Sequence, residues 1–459
     1  MKKIYFTFII IFLVFWGCSK EDVPTSPGRA NNNYVGNADF TRYVAVGNSL
    51  TAGYQDGALF KEGQLYSYPN LIANQVKNLG INLDFQIPFI SEPGIGSRIS
   101  VTKVTSSGAE VAINTVISTP ENLTLQRPYN NLGIPGSVVW IPNSNGLPIS
   151  DVFQNVSFLT STQRNNPFFA IVLRSEVFGT NLIAQVKAIN PTFITVWLGN
   201  NDVLGYATSG GTSPSSPTPS AIFQQIYKMM IDTLSALGAQ MVVANIPDVT
   251  VIPYFTTVMP YKITNGVKTY LWGQTKSGIR QLTDNDYVVL TAQNYLKSDT
   301  TMGLTQSNPL PNNLVLDKDE VAVAQQAVNS FNQIISSICN SAKLKDGKSI
   351  PVVDINKFLY DIKKNGYIIA GEKYTSDYIK GNLFSFDGVH PSSKGQALVA
   401  NEFIKVINDR YNANISFVDF TSIPGLKIPV SKSTKEINSF YFENNFELKY
   451  QEILKLFKP

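Results

Sequence analysis

Thr192–Leu198 (Thr-Phe-Ile-Thr-Val-Trp-Leu) and Gln240–Ile246 (Gln-Met-Val-Val-Ala-Asn-Ile) are apolar runs without a regularly alternating polar face. Strands of that composition must be covered on both sides, which is the situation in a parallel sheet flanked by helices. Between them Ser209–Pro219 reads as a Gly/Ser/Pro loop and Ala221–Leu237 has amphipathic helical spacing. Arg42–Val46 opens the same rhythm, Phe85–Ile90 reads as a second strand and Ile350–Ile355 as the last core strand. Helical spacing recurs at Tyr66–Leu79, Phe169–Ile189, from Asp317 to about Ala342, and at Ser392–Tyr411. This strand–helix–strand order predicts an α/β protein with a doubly wound sheet. Hydrophobic residues at 43% against 15% charged supply the core it needs and exclude a disordered chain.

Two stretches break the rhythm. Residues 91–128 are rich in Ser, Thr and Val around Ser106-Ser107-Gly108, a hairpin composition. Residues 250–316 are aromatic and Thr-rich, with a hairpin signal at Thr264-Asn265-Gly266. Their aromatics Tyr254, Phe255, Tyr261, Tyr270 and Trp272 either pack or line a sugar or acyl site. The expected organisation is one domain over 38–415 with insertions at about 97–128 and 250–316, then a packing tail over 416–459.

His390 is the only histidine in the chain. A proton transfer near neutral pH that needs an ordinary imidazole must therefore use it. It stands in Phe386-Asp387-Gly388-Val389-His390-Pro391, three residues after a carboxylate, and reads as the general base of a serine esterase; the plain alternative is a packing or capping histidine. Three further polar turns lie at strand ends or before helices. Gly47-Asn48-Ser49-Leu50 puts a hydroxyl at the end of the first strand, where a serine also serves as a simple helix cap. Gly199-Asn200-Asn201-Asp202 ends another strand, at the sheet edge where open α/β folds bind ligands, and has the composition of an ordinary Asn/Asp turn as well. Asn131-Leu132-Gly133-Ile134-Pro135-Gly136-Ser137 is a Gly/Pro loop, suited to an anion or to turning the chain.

Taken together and in this order, the four blocks resemble those of the GDSL-type SGNH hydrolases. The resemblance implies a three-layer α/β/α, flavodoxin-like, mostly parallel sheet with large insertions between the blocks. It implies Ser49 as nucleophile, His390 as base and Asp387 as the group orienting the imidazole. It also implies an oxyanion hole made by the backbone N–H groups of Ser49 and Gly136 and the side-chain amide of Asn201. The activity implied is hydrolysis of carboxylic esters, on acetylated or acylated glycans or lipids, with no cofactor. Two alternatives share the fold: a non-catalytic surface glycan-binding protein, and an acyltransferase using the same acyl-enzyme. Asn48 departs from the family, which usually has Asp there.

Charge and cysteine content narrow the partners. Lys and Arg total 37 against 33 acids, and 35 against 33 once Lys2 and Lys3 are removed, which leaves no basic footprint for nucleic acid. Cys18 and Cys339 are too few for a disulfide framework, and with one histidine a His/Cys zinc set is excluded, while a carboxylate calcium site stays open. Cys339 reads as a buried small hydrophobe. Ile4–Trp16 is an uncharged apolar run behind Lys2-Lys3, shorter than the ~20 residues that span a bilayer but suited to a secretory signal. Gly17-Cys18 resembles the lipobox of bacterial lipoproteins, and Ser19-Lys20-Glu21-Asp22 the tag of Bacteroidetes surface lipoproteins. The resulting expectation is a signal peptide over 1–17, lipidation at Cys18, a flexible tether over 18–37, and an outer-membrane, surface-exposed location in the cell envelope.

Overall fold

The computed structural model describes residues 34–428 apart from 106–107, 141–149, 156–165, 175 and 214–215. Cys18, the signal and residues 18–33 of the expected tether lie outside the described residues, as do 429–459, whereas 34–37 are folded: Tyr34–Val35 pairs with Ala38–Asp39, and Val35 is buried. A five-stranded parallel sheet forms the centre: β1 (Tyr43–Gly47), β2 (Asn131–Gly133), β3 (Phe193–Trp197), β4 (Gln240–Ala244) and β5 (Val352–Val353), in the order β5-β4-β3-β1-β2. Register is set centrally by β1 against β3, with Tyr43 opposite Phe193 and Gly47 opposite Trp197. Every residue of β1 and β3 is buried, as their uninterrupted apolar composition requires.

Helices cover both faces. Tyr68–Asn78 and Ser393–Tyr411 pack on the side of Phe193 and Trp197, where Tyr68 stacks on Phe403 at 4.6 Å and Phe193 meets Tyr411 edge-on. Ser220–Ser235 and Lys318–Ser341 form the other layer, with Phe223 stacked on Phe331 at 4.0 Å. Asp317 starts the latter helix with a capping box: its carboxylate accepts the Asp319 and Glu320 N–H groups while the Glu320 side chain accepts the Asp317 N–H. Cys339 on this helix is buried, and burial pushes its thiol up to about 12.

Three sequence expectations change. Phe85–Ile90 forms no sheet strand. Pro88 lacks an N–H, and scattered partners replace a ladder: Gln64 donates to Pro88 O (2.7 Å) and accepts from Ile90 N (2.8 Å), Asn122 donates to Ile87 O (2.8 Å), and the Asn130 and Glu121 N–H groups donate to Gln86 O and Phe89 O. The edge position falls instead to β2, from the stretch expected to be a loop. Phe169–Ile189 is not one helix but two, Pro167–Leu173 and Leu182–Ile189, each started by an Asn side-chain cap. Arg174 ends the first with φ +55° and sends its guanidinium to the carbonyls of Leu123 and Leu125. Finally, Ile350–Ile355 contributes only two residues to the sheet.

The first insertion is a long hairpin, Ile95–Thr105 against Gly108–Ile117, and the second holds two short ones, Tyr261–Thr264 with Val267–Tyr270 and Trp272–Thr275 with Gly278–Gln281. After the last helix the chain folds back: Val418 N donates to Asn401 (2.7 Å), and Lys394 Nζ donates to Phe420 O (3.0 Å).

Candidate active site

Three of the four polar turns line one cleft at the C-terminal end of the sheet, and the fourth lies beside it. β1 stops at Gly47 and the chain turns at once into the short helix Ser49–Ala52. A side chain at Gly47 would lie 1.8 Å from Thr51 Oγ1, so only glycine permits so tight a strand-to-helix turn. Asn48 caps the helix by accepting the Leu50 N–H (3.0 Å). Its amide group donates to Asn200 Oδ1 (3.3 Å). The side chains at 48 and 200 thus meet across 152 residues, a pairing that the motif blocks alone did not reveal.

Phe384–Pro391 closes on itself, with Ser385 N donating to His390 O (2.8 Å), and Ser392 caps the helix that follows. Within this turn Asp387 Oδ1 accepts the N–H groups of Val389 and His390 (2.9 Å each). Oδ2 meets His390 Nδ1 at 2.9 Å and accepts the Gly57 N–H at 3.1 Å. Burial alone would push the Asp387 carboxyl up. The charge and ring hydrogen bond of His390, with the two turn amides, outweigh it and hold the group at about 2. His390 Nε2 lies 2.8 Å from Ser49 Oγ. The Ser–His–Asp line is thus complete, with the Tyr54 ring 4.9 Å from the imidazole as a wall.

Asn201 begins the helix Asn201–Thr208 and donates to Ser137 O at 2.9 Å, which ties the β2 loop to the β3 turn. An amide nitrogen carries two protons, so the second is available to a ligand. Asp202 fixes the same loop from below, accepting the N–H groups of Val139 (2.8 Å) and Trp140 (3.2 Å) and the Thr218 hydroxyl (2.7 Å). Burial nonetheless pushes its carboxyl up to about 7. Gly136 sits one residue before Ser137, on an exposed turn with φ +78°, and does not line the cleft. The structure therefore brings Ser49, His390, Asp387 and Asn201 together and leaves Gly136 beside them.

Ser49, Asn200, Asn201 and His390 line one side of a cleft whose other walls are apolar, among them Trp197, Leu204, Ile252, Leu359 and Phe384. Among the described residues no carboxylate or ammonium lines it, so its polar groups suit a neutral carbonyl that becomes anionic during reaction. Its volume is about 40 Å³. Tyr254, Phe255, Tyr261, Tyr270 and Trp272 do not line it; Phe255 is buried, and Tyr261 packs edge-on against Tyr270. The second insertion reaches the site through Ile252, which lines the cleft, and through backbone, Tyr254 N donating to Gly388 O (2.9 Å).

Residues 43–403 match the family described as GDSL-like Lipase/Acylhydrolase. Among solved structures the chain is similar to the Clostridium thermocellum family 3 carbohydrate esterase, at 13% identity and a TM-score of 0.32, over 81% of this chain and 96% of that one. No curated protein matches it.

Proposed function

We propose that this chain, which belongs to the GDSL-like lipase/acylhydrolase family, is a serine esterase that cleaves carboxylic esters through an acyl intermediate on Ser49. The observation that carries this reading is the unbroken Ser49–His390–Asp387 hydrogen-bond line at 2.8 and 2.9 Å, opening onto a cleft without charged walls.

In this reading Ser49 Oγ attacks the ester carbonyl carbon and passes its proton to His390 Nε2. Asp387 keeps Nδ1–H pointed at itself, which fixes the tautomer that leaves Nε2 free to accept. The carbonyl oxygen becomes an anion. Its donors are the second proton of Asn201 Nδ2 and the N–H of Ser49, which as the first helical residue has no carbonyl four residues back. Collapse of the tetrahedral intermediate releases the alcohol, which takes the proton from His390. Water, deprotonated by the same imidazole, then frees the acid and restores Ser49.

The small apolar cleft supports a short acyl group. One water needs ~10–15 Å³ on the same scale, so about 40 Å³ holds a group near acetyl or propionyl size. The alcohol, on a glycan or a lipid, lies outside it. Across p-nitrophenyl esters from acetate to decanoate, kcat/KM should fall at least ~10-fold between butyrate and octanoate, since each misplaced methylene is worth ~1–3 kcal/mol. Rates that stay level or rise with chain length would remove the short-acyl reading.

Lipidation at Cys18 and an outer-membrane, surface-exposed location belong to the same proposal, supported by the apolar run ending at Gly17-Cys18. Cys18→Ala should move the protein from the membrane to the soluble fraction and abolish labelling by an alkyne fatty acid. Unchanged membrane association would refute lipid anchoring at this residue.

A further inference from the structure

We propose that Asp56 is a positioning residue for the catalytic carboxylate, and that with Arg98 it couples the long hairpin to Asp387. The inference rests on reading Ser49, His390 and Asp387 as a hydrolytic triad.

Asp56 and Gly57 are consecutive left-handed residues, with φ +52° and +74°, in the turn that follows the nucleophile helix. They grip three successive residues of the His390 turn. Asp56 N donates to Ser385 Oγ (3.0 Å), Asp56 Oδ1 accepts the Phe386 N–H (2.9 Å), and Gly57 N donates to Asp387 Oδ2 (3.1 Å). That last oxygen is the one facing His390 Nδ1. On their other side the same two residues bond the hairpin backbone, Asp56 O accepting from Ile99 N (2.7 Å) and Gly57 O from Ser97 N (2.8 Å). A side chain at Gly57 would stand 2.3 Å from Ser97 O, so the contact excludes every other residue.

Arg98 completes the link. Its guanidinium lies 3.9 Å from Asp56, 3.4 Å from Glu92, and 3.3 Å above the Phe60 ring. Nearby Val101 and Ala109 of the hairpin cluster with Phe386 and Ile379. The hairpin is thus fastened to the residue just before Asp387 by charge, backbone and apolar contacts.

A structural turn would not need a carboxylate at 56. Asparagine accepts the Phe386 N–H equally well and carries no charge beside Asp387. Burial pushes the Asp56 carboxyl up to about 6, with Asp387 and Glu62 adding to the rise, while the Phe386 amide and Arg98 oppose it. Tyr378, whose hydroxyl donates to Phe386 O (2.6 Å), closes the remaining side. A charge kept at such a cost acts on what lies beyond Asp387: it strengthens the negative potential that favours the imidazolium formed during reaction.

The test uses the full-length protein, p-nitrophenyl acetate and the single imidazole resonance, which His390 alone supplies. Asp56→Asn removes the negative charge and should move the acid limb of kcat/KM, and the midpoint of the imidazole titration, down by about half a pH unit. Arg98→Gln loosens the hairpin end of the link and should lower kcat about threefold with KM within twofold. Asp56→Ala, which also removes the acceptor, should lower kcat about 10-fold or more with KM within twofold, and Asp56→Asn should restore most of it. A purely structural role does not move the limb and the midpoint in Asp56→Asn, which keeps the acceptor for the Phe386 N–H. Limbs and midpoints that coincide with wild type, with kcat unchanged in Asp56→Ala, would overturn the proposal. If wild type turns over no ester, the esterase reading fails by itself, and the imidazole titration, which needs no substrate, still decides the role of Asp56.

Discussion

Ser49→Ala should reduce turnover of p-nitrophenyl acetate to nearly the rate without enzyme, a loss on the order of 10⁴–10⁶ in kcat, and His390→Ala should do the same. The two losses should not add. Nucleophile and base act as one unit through the 2.8 Å contact between Ser49 Oγ and His390 Nε2, so the double variant should be no slower than either single one. No second histidine exists to substitute. Asp387→Asn keeps the shape but accepts fewer hydrogen bonds than the four the carboxylate receives, and presents an amide N–H to the ring. It should cost about 10⁴ by favouring the wrong tautomer. Rapid mixing with ester in excess should show a p-nitrophenol burst in wild type only. Retention of more than about one hundredth of the wild-type rate in Ser49→Ala would remove the serine as nucleophile.

The second large effect is expected at Asn201. Its alanine variant loses a neutral donor aimed at charge that exists only in the transition state, so kcat should fall ~10²–10³-fold, or ~3–4 kcal/mol, with KM nearly constant. Asn201→Asp should be at least as slow, because a carboxylate there repels the oxyanion it replaces a donor for. Asn201 also holds Ser137 O, and loss of that tether alone would appear as a lower melting temperature and a changed KM. A variant with wild-type kcat would exclude Asn201 from the oxyanion hole.

The parts of this site that were legible from sequence are those held by short-range geometry. Asp387 and His390 are three residues apart in one turn, and their mutual hydrogen bonds follow from that spacing. Asp317, the cap of the Lys318–Ser341 helix, was equally readable, because an Asp before a run of helical spacing with Glu three residues on is a local signal. Asp56 was not. It looks like one polar residue in an Asp-Gly turn, and its contacts exist only once the His390 turn, 330 residues on, and the hairpin carrying Arg98 are folded against it. Asn200 was quoted within its block, yet its pairing with Asn48 depended on two strands lying side by side.

The same division holds for the fold. Apolar runs such as Phe193–Trp197 determined by themselves that they would be buried in a parallel sheet, since no orientation of such a strand can face water without large cost. They did not determine which other segment would complete the edge. Phe85–Ile90 has the composition of a strand, but Gln64 and Asn122 satisfy its backbone from the side, and Asn131–Gly133 pairs with β1 instead. Burial is a property of a segment's own residues and can be read along the chain. Pairing is a competition among distant donors and acceptors, so the choice of sheet neighbour, and the meeting of Ser49 with His390 across 341 residues, was decided only in the tertiary structure.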